Sequence, residues 1–448
     1  MKKIYLITLA ILCFLSAEVK AQIVDITSLD LATCIEVALE NNLTLMRSRA
    51  NLGIAEANLI GDQGQRIPTL STGASTGYRW GRSVNPVTNF FEENRIGNVN
   101  LFGNSNVTLF AGQQISNTIK QTKTNIEVEK YNVETTENNI TLNVINLFIN
   151  VVFAKEQLKI AQNQLSTTKE QMIITTKLVD AGSLPLANKL DIQAQNATNE
   201  LEVINASNTL RISKLNLAQA LAIPFNNELD VITPDLDPED YLLTQKDPNE
   251  IYEISKELMP QVKAADLSVL SAEYGERVAK GGYMPTLGMG VSAFSNYIDQ
   301  PNFSGVRPEF STQIRNNFSN SANLQLNIPI LSNMRNRSNV QRARLQKRLS
   351  EITEWETNLQ LRQDIESAYT DAYAARQSYQ ASLIRVASLA EAFRIAKQRF
   401  DAGAINFADY QLGQNNFFNA QADLVTAKYT YIFRVKVLDF YLGNPIIL

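Results

Sequence analysis

The chain has 448 residues, with 41 Lys and Arg against 45 Asp and Glu, two cysteines and no histidine. The lack of histidine excludes Ser-His-Asp and Cys-His nucleophile systems and every His-containing zinc site. A net charge of −4 argues against nucleic acid as a partner.

The chain starts with Lys2 and Lys3, an apolar run from Ile4 to Ala17, and Val19-Lys20-Ala21. This pattern predicts a secretory signal peptide over residues 1–21 and a mature chain from Gln22. The run falls short of the roughly 20 residues of a membrane-spanning helix. Leu12 ahead of Cys13 argues against a lipid anchor at that cysteine. The mature chain would carry 38 basic and 44 acidic side chains and Cys34 alone, which leaves no internal disulfide.

Glycine and proline are absent from Gln113 to Ala181, from Leu186 to Ile223 and from Ile330 to Ala402. The first and last windows, 69 and 73 residues long, would each make about 100 Å of helix. Heptads run through both. In the first, Ile140, Leu147, Ala154, Ala161, Thr168 and Thr175 interleave with Val144, Val151, Leu158, Leu165, Met172 and Val179. In the last, Ile365, Ala372, Tyr379, Val386, Phe393 and Phe400 interleave with Leu361, Ala368, Ala375, Ser382, Leu389 and Ala396. A sustained seven-residue repeat predicts left-handed supercoiling around neighbouring helices. A shorter helical bundle uses the same pattern and stays as the alternative.

Four segments change to period 2: Leu70 to Trp80, Val107 to Ala111, Leu287 to Ala293 and Ala322 to Ile330. Each predicts a strand with one apolar and one polar face, the second marred by Phe110 on its polar side. With Tyr78, Trp80 and Tyr297 near one end they suit transmembrane strands, although a soluble sandwich alternates in the same way. Residues 81–104 and 296–321 are expected as long, polar external loops.

An internal repeat organises the chain. Pro68-Thr69-Leu70 recurs as Pro285-Thr286-Leu287, and Asn106-Val107 as Asn323-Leu324, both 217 residues on. Ser116-Asn117 is matched to Ser332-Asn333, and Ala181-Gly182 to Ala402-Gly403. The expected organisation is a first repeat at 22–223, with strands about 69–80 and 105–115 and helices 116–181 and 186–223. A linker at 224–247 leads to a second repeat at 248–448, with strands about 286–297 and 322–331 and helices 332–402 and 405–442. Four strands cannot close a barrel, and lipid does not tolerate open sheet edges. Three copies would supply 12 strands, enough for a water-filled lumen. The fold class expected is therefore mainly α with a β-barrel part: long coiled-coil hairpins forming an α-barrel, joined to a barrel of four strands per chain.

These residues match a known pattern. Leu29-Asp30-Leu31, Ala38-Leu39 and Asn41-Asn42, the strand-leading Pro68 and Pro285, and the Gly182 and Gly403 turns resemble the TolC-like outer membrane efflux protein family across the mature chain. The resemblance implies a homotrimer in the outer membrane of a Gram-negative cell, its helices in the periplasm. Its tips, at Ala181, Gly182, Ser183 and Leu184 and at Ala402, Gly403, Ala404 and Ile405, would contact a periplasmic adaptor attached to an inner-membrane transporter. In that family the glycine is followed six residues on by an aspartate; Asp409 fits after Gly403, while Asn188 after Gly182 does not. The resemblance further implies acidic side chains at the entrance, for which Asp409 qualifies and Leu412 does not. Partners are thus a second and third copy, the adaptor, the transporter and outer-membrane lipid. No cofactor, no metal and no catalytic residue is expected. The competing readings are an exported coiled-coil rod or adhesin, which explains the leader and heptads but not the duplicated strands, and an enzyme, for which no motif speaks.

Overall fold

The computed structural model of the chain describes residues 29–84, 89–233, 238, 241, 243–244, 246–300 and 306–444. The expected leader and part of the expected linker fall outside them. The helices are α1 (Leu31–Asn41), α2 (Leu43–Gly64), α3 (Gln114–Asp180), α4 (Leu186–Ala220), α5 (Pro248–Leu258), α6 (Pro260–Gly281), α7 (Phe310–Asn316), α8 (Arg335–Asp401) and α9 (Phe407–Tyr441). The strands are β1 (Thr69–Val84), β2 (Phe91–Ala111), β3 (Thr286–Ile298) and β4 (Ser319–Asn327). The chain divides into two compact units, one of Leu43–Glu137 with Asp247–Glu366, the other of the remaining segments.

The duplication is visible in element lengths. α1 and α2, of 11 and 22 residues, recur 217 positions later as α5 and α6, also 11 and 22. Each pair breaks at one extended residue, Asn42 in the first and Met259, ahead of Pro260, in the second. Asp30 and Asp247 cap the short helices, accepting from the Thr33 and Glu250 amides at 2.8 Å. The long helices α3 and α8 both have 67 residues, and α4 and α9 both have 35. They are offset by 221, because four additional residues precede α8. This corrects the match of Ser116-Asn117 to Ser332-Asn333. The first pair lies inside α3, whereas the second precedes α8; the left-handed pair Gly112-Gln113 corresponds instead to Asn333-Met334.

In the first unit the strands form one antiparallel sheet in the order β1-β2-β3-β4. β1 and β2 pair from Thr69↔Asn106 to Val84↔Phe91. The expected loop at 81–104 is thus mostly strand. The asparagines that suggested a loop, Asn98, Asn100, Asn104 and Asn106, alternate with Val99, Leu101, Gly103 and Ser105 and so occupy one face. A β-bulge between Thr108 and Phe110 shifts the phase, so Phe110 pairs with Leu287 on the apolar face. That corrects its reading as a polar-side intruder. The expected loop at 296–321 gives up 296–298 and 319–321 to strands and contains α7. β4 stops at Asn327, short of the expected 331, because Pro329 has no N–H for a ladder.

The helices of this unit follow the strand order. Arg49 reaches Glu137 at 2.9 Å, joining α2 to α3. The Ser271 hydroxyl donates to Asn125, joining α6 to α3. Arg344 reaches Glu276 at 3.2 Å, and the Asn336 side-chain amide donates to the Gly282 carbonyl at 2.6 Å, joining α8 to α6. The order is therefore α2-α3-α6-α8, with α2 and α8 at the edges as β1 and β4 are in the sheet.

The second unit has a core of Val144, Ile145, Phe148, Val151 and Val152 from α3, Leu217 from α4 with Leu221 just past its end, and Ile432 from α9, against Leu31, Cys34 and Ala38 of α1. Burial pushes the Cys34 thiol up to about 12, with Asp30 adding to the shift, so it stays a neutral, inert side chain. Across both heptad seams no residue is exposed: every named a and d position of α3 and α8 is buried or half-buried. Residues 29–31 are strapped to 230–232, where the Leu29 amide donates to Asp230 O and the Ile232 amide to Leu29 O, both at 3.0 Å.

Candidate functional site

The sheet has two chemically distinct faces. On one, Leu70, Tyr78 and Trp80 of β1 share the level of Val99, Leu101, Val107 and Phe110 of β2, and further across lie Leu287, Met289, Leu324 and Leu326. On the other lie Ser71, Ser75, Asn98, Asn100, Asn104, Asn106, Ser292, Asn323 and Gln325. Leu70, Trp80, Leu324 and Leu326 are exposed. Large apolar side chains cannot face water over a whole sheet surface without an occupant, and alternation over this length fits lipid on one side and water on the other. No helix among the described residues is long and apolar enough to cross a membrane. Pro68 and Pro285 stand directly before β1 and β3, where a missing N–H costs no ladder bond.

At the opposite ends of the long helices the chain reverses twice in the same way. Gly182 has φ +70° and Gly403 φ +72°. After α3 the Gly182 amide donates to Val179 O at 2.9 Å and the Ser183 amide to Leu178 O at 2.8 Å. After α8 the Gly403 amide donates to Phe400 O at 2.9 Å and the Ala404 amide to Arg399 O at 2.8 Å. Both are Schellman motifs, in which a left-handed glycine lets the last carbonyls find donors. Ala181, Ser183, Ala402 and Ala404 are exposed beside them, and Leu184 and Ile405 half-buried.

Asn406 then caps α9, its side chain accepting from the Asp409 amide at 2.8 Å. Asp409 is exposed in the first turn, where the helix N-terminus favours a negative charge. Its counterpart Asn188 follows Pro185, which supplies no side-chain cap. Leu412 is exposed and adds no acid.

Behind the turns the two hairpins are locked by packing that sequence reasoning missed. Phe400 stacks on Tyr410 at 5.0 Å between ring centres and meets Phe407 at 6.0 Å, with Phe393 5.7 Å from Tyr410. Ile192 of α4 and Met172 of α3 complete this cluster. Burial pushes the Tyr410 phenol up to about 12, reinforced by Asp401 and Glu170. Next to it lies a buried polar layer. The Thr168 hydroxyl accepts from Asn199 at 2.8 Å and from Gln414 at 3.2 Å, Gln195 donates to Asn199 at 2.8 Å, and Gln411 donates to Gln195. The sequence did carry one signal, since Thr168 and Thr175 occupy seam positions where an apolar residue would otherwise stand.

A membrane sheet with one oily and one wet face, joined in one chain to paired helices of 67 and 35 residues, defines an outer-membrane channel protein. The model of the outer membrane efflux protein family matches residues 34–222 and 251–444, and the chain belongs to that family. It is an outer-membrane efflux channel. Among solved structures it resembles CmeC, the outer membrane channel of Campylobacter jejuni, at 18% identity and TM-score 0.78, covering 92% of this chain and 85% of that one. It also resembles VceC of Vibrio cholerae, at 15% identity and TM-score 0.76 over 92% and 96% of the two chains. The open state of MtrE from Neisseria gonorrhoeae aligns at 17% identity and TM-score 0.74, over 92% and 89%. No curated protein sequence matches the chain.

Proposed function

We propose that three copies close edge to edge, β4 of one against β1 of the next, into a 12-stranded barrel. The repeats at 22–223 and 248–448 each contribute two strands and one long hairpin to every copy. The observation that carries this reading is the matched edge chemistry of the first unit. The outer helices carry exposed apolar rows, Leu43, Met46, Ile54 and Ile60 on α2 and Leu345, Leu349, Ile352 and Leu359 on α8. The α8 row has coiled-coil spacing and stands at the edge of the helix order, as β4 does in the sheet. An edge strand in lipid needs a partner, and a head-to-tail contact that closes gives a ring.

In this reading the Gly182 and Gly403 turns are the periplasmic tips. Ala181, Ser183, Leu184, Ala402, Ala404 and Ile405 present the surface for an adaptor that delivers cargo from an inner-membrane transporter, and Asp409 contributes to an acidic entrance. The assembly performs no bond-making chemistry; it supplies a wet path across the outer membrane. A photo-crosslinking amino acid at Ser183 or Ala404 in living cells should capture a periplasmic adaptor, and the same probe at Ser75 on the polar strand face should not. Capture of no periplasmic protein from either tip position would overturn the docking assignment.

A further inference from the structure

Charge is distributed unevenly around the end of the sheet that meets the helices. The segments 58–66, 114–126, 270–284 and 330–346 all lie within about 20 Å of helix from that rim. They hold nine basic residues and three acidic ones, in a chain whose net charge is −4. On α8 alone, Arg335, Arg337, Arg342 and Arg344 are all exposed, and the first acid of that helix is Glu351. Asp62, Glu273 and Glu276 are the three acids, and the last two are engaged by Arg277, Lys280 and Arg344. Arg335, Arg337 and Lys123 have no carboxylate partner among the described residues.

Directly above this collar the surface turns apolar. The four additional residues of the second repeat fall between Asn327 and Arg335, a stretch in which Ile330 and Leu331 are 88% and 91% exposed. Ile67, Tyr283, Met284 and Met334 are exposed at the corresponding helix and strand ends. Apolar side chains at the level where strands end, followed at once by cations, is the order of chemistry across half a bilayer, from acyl chain to phosphate.

We propose that this collar binds anionic glycerophospholipid headgroups of the inner leaflet of the outer membrane. Arg335 and Arg337 are the phosphate contacts, and Ile330 and Leu331 the acyl contacts. The inference rests on the barrel reading above and deepens it by fixing the membrane boundary at residues 327–337. A cation near a membrane surface raises anionic-lipid affinity by roughly fivefold.

The test is native mass spectrometry of the intact assembly released from nanodiscs of equal phosphatidylglycerol and phosphatidylcholine. The wild type should carry several-fold more phosphatidylglycerol than phosphatidylcholine, and Arg335→Gln with Arg337→Gln should bring the ratio close to one with the oligomer intact. Arg394→Gln, at the far end of α8 and paired with Glu391, should leave the wild-type ratio. Equal retention of both lipids by the wild type, or the same loss from Arg394→Gln, overturns the proposal while leaving the barrel in place. Failure of the wild type to enter nanodiscs overturns the barrel reading and the proposal together.

Discussion

Gly403→Val isolates backbone strain from crowding. A Cβ built at Gly403 meets nothing within 4 Å, so the substitution creates no clash, yet φ is +72°. A left-handed conformation costs an L-residue about 1–2 kcal/mol, with β-branched side chains at the upper end and asparagine well below. Because the strain is released when the turn opens, it should appear as faster exchange of the Gly403 and Ala404 amides, which close the Schellman motif on Phe400 and Arg399. A loss of about 1.4 kcal/mol is a tenfold increase in local opening. The expected order of exchange rates is glycine, asparagine, alanine, valine, with amides in the first half of α8 unchanged. Export should fall in the same order while the protein still reaches the membrane. Equal exchange in the asparagine and valine variants would refute the argument, since it would mean that backbone handedness is not what the glycine supplies.

Gly112→Ala should be far more damaging than Gly403→Ala, because φ is +57° and an added Cβ would lie 2.4 Å from Met284 Cβ and 2.5 Å from the Gly281 carbonyl. A thermal-unfolding comparison of the two alanine variants checks this. Leu324→Arg should reduce outer-membrane yield through a cost of roughly 2–4 kcal/mol on the lipid face, while Gln325→Arg on the wet face should not. Equal yields would contradict the assigned faces. At Asp230, burial opposes ionisation but Lys155 at 2.7 Å and Lys214 at 3.2 Å prevail, and the carboxyl is held below its ordinary value. A depressed folded-state pKa contributes stability above the unfolded value, which is lost as pH falls below about 4. Asp230→Asn should therefore cost about 1 kcal/mol at neutral pH, given the pair's partial exposure, and nothing at low pH.

The helical half of the fold was legible because glycine and proline are absent from it and because its seam is strictly periodic. The tip turns were legible for the complementary reason: Gly182 and Gly403 interrupt that pattern in the same way 221 residues apart. The sheet was read less well, since Asn98 to Asn106 have the composition of a loop and only their alternation with Val99 and Leu101 shows a strand. Phe110 misled because a bulge changes the phase without leaving a mark in composition. Of the polar layer only Thr168 was legible, by its seam position; Gln195, Asn199 and Gln414 were not, because amides on a helix look solvated until a second helix is seen to cover them. The register error at Ser332 arose because a short dipeptide match carries less weight than helix ends displaced by four residues.

Three copies of this chain should make one conducting pore. The direct measurement is the mass of the detergent-solubilised protein from outer membranes, taken together with its conductance in a planar bilayer. The expected particle holds three chains and produces discrete conductance steps, and a charged residue at Leu324 on the lipid face lowers the number of inserted channels. A monomer, or a trimer that inserts without ever conducting, would contradict it.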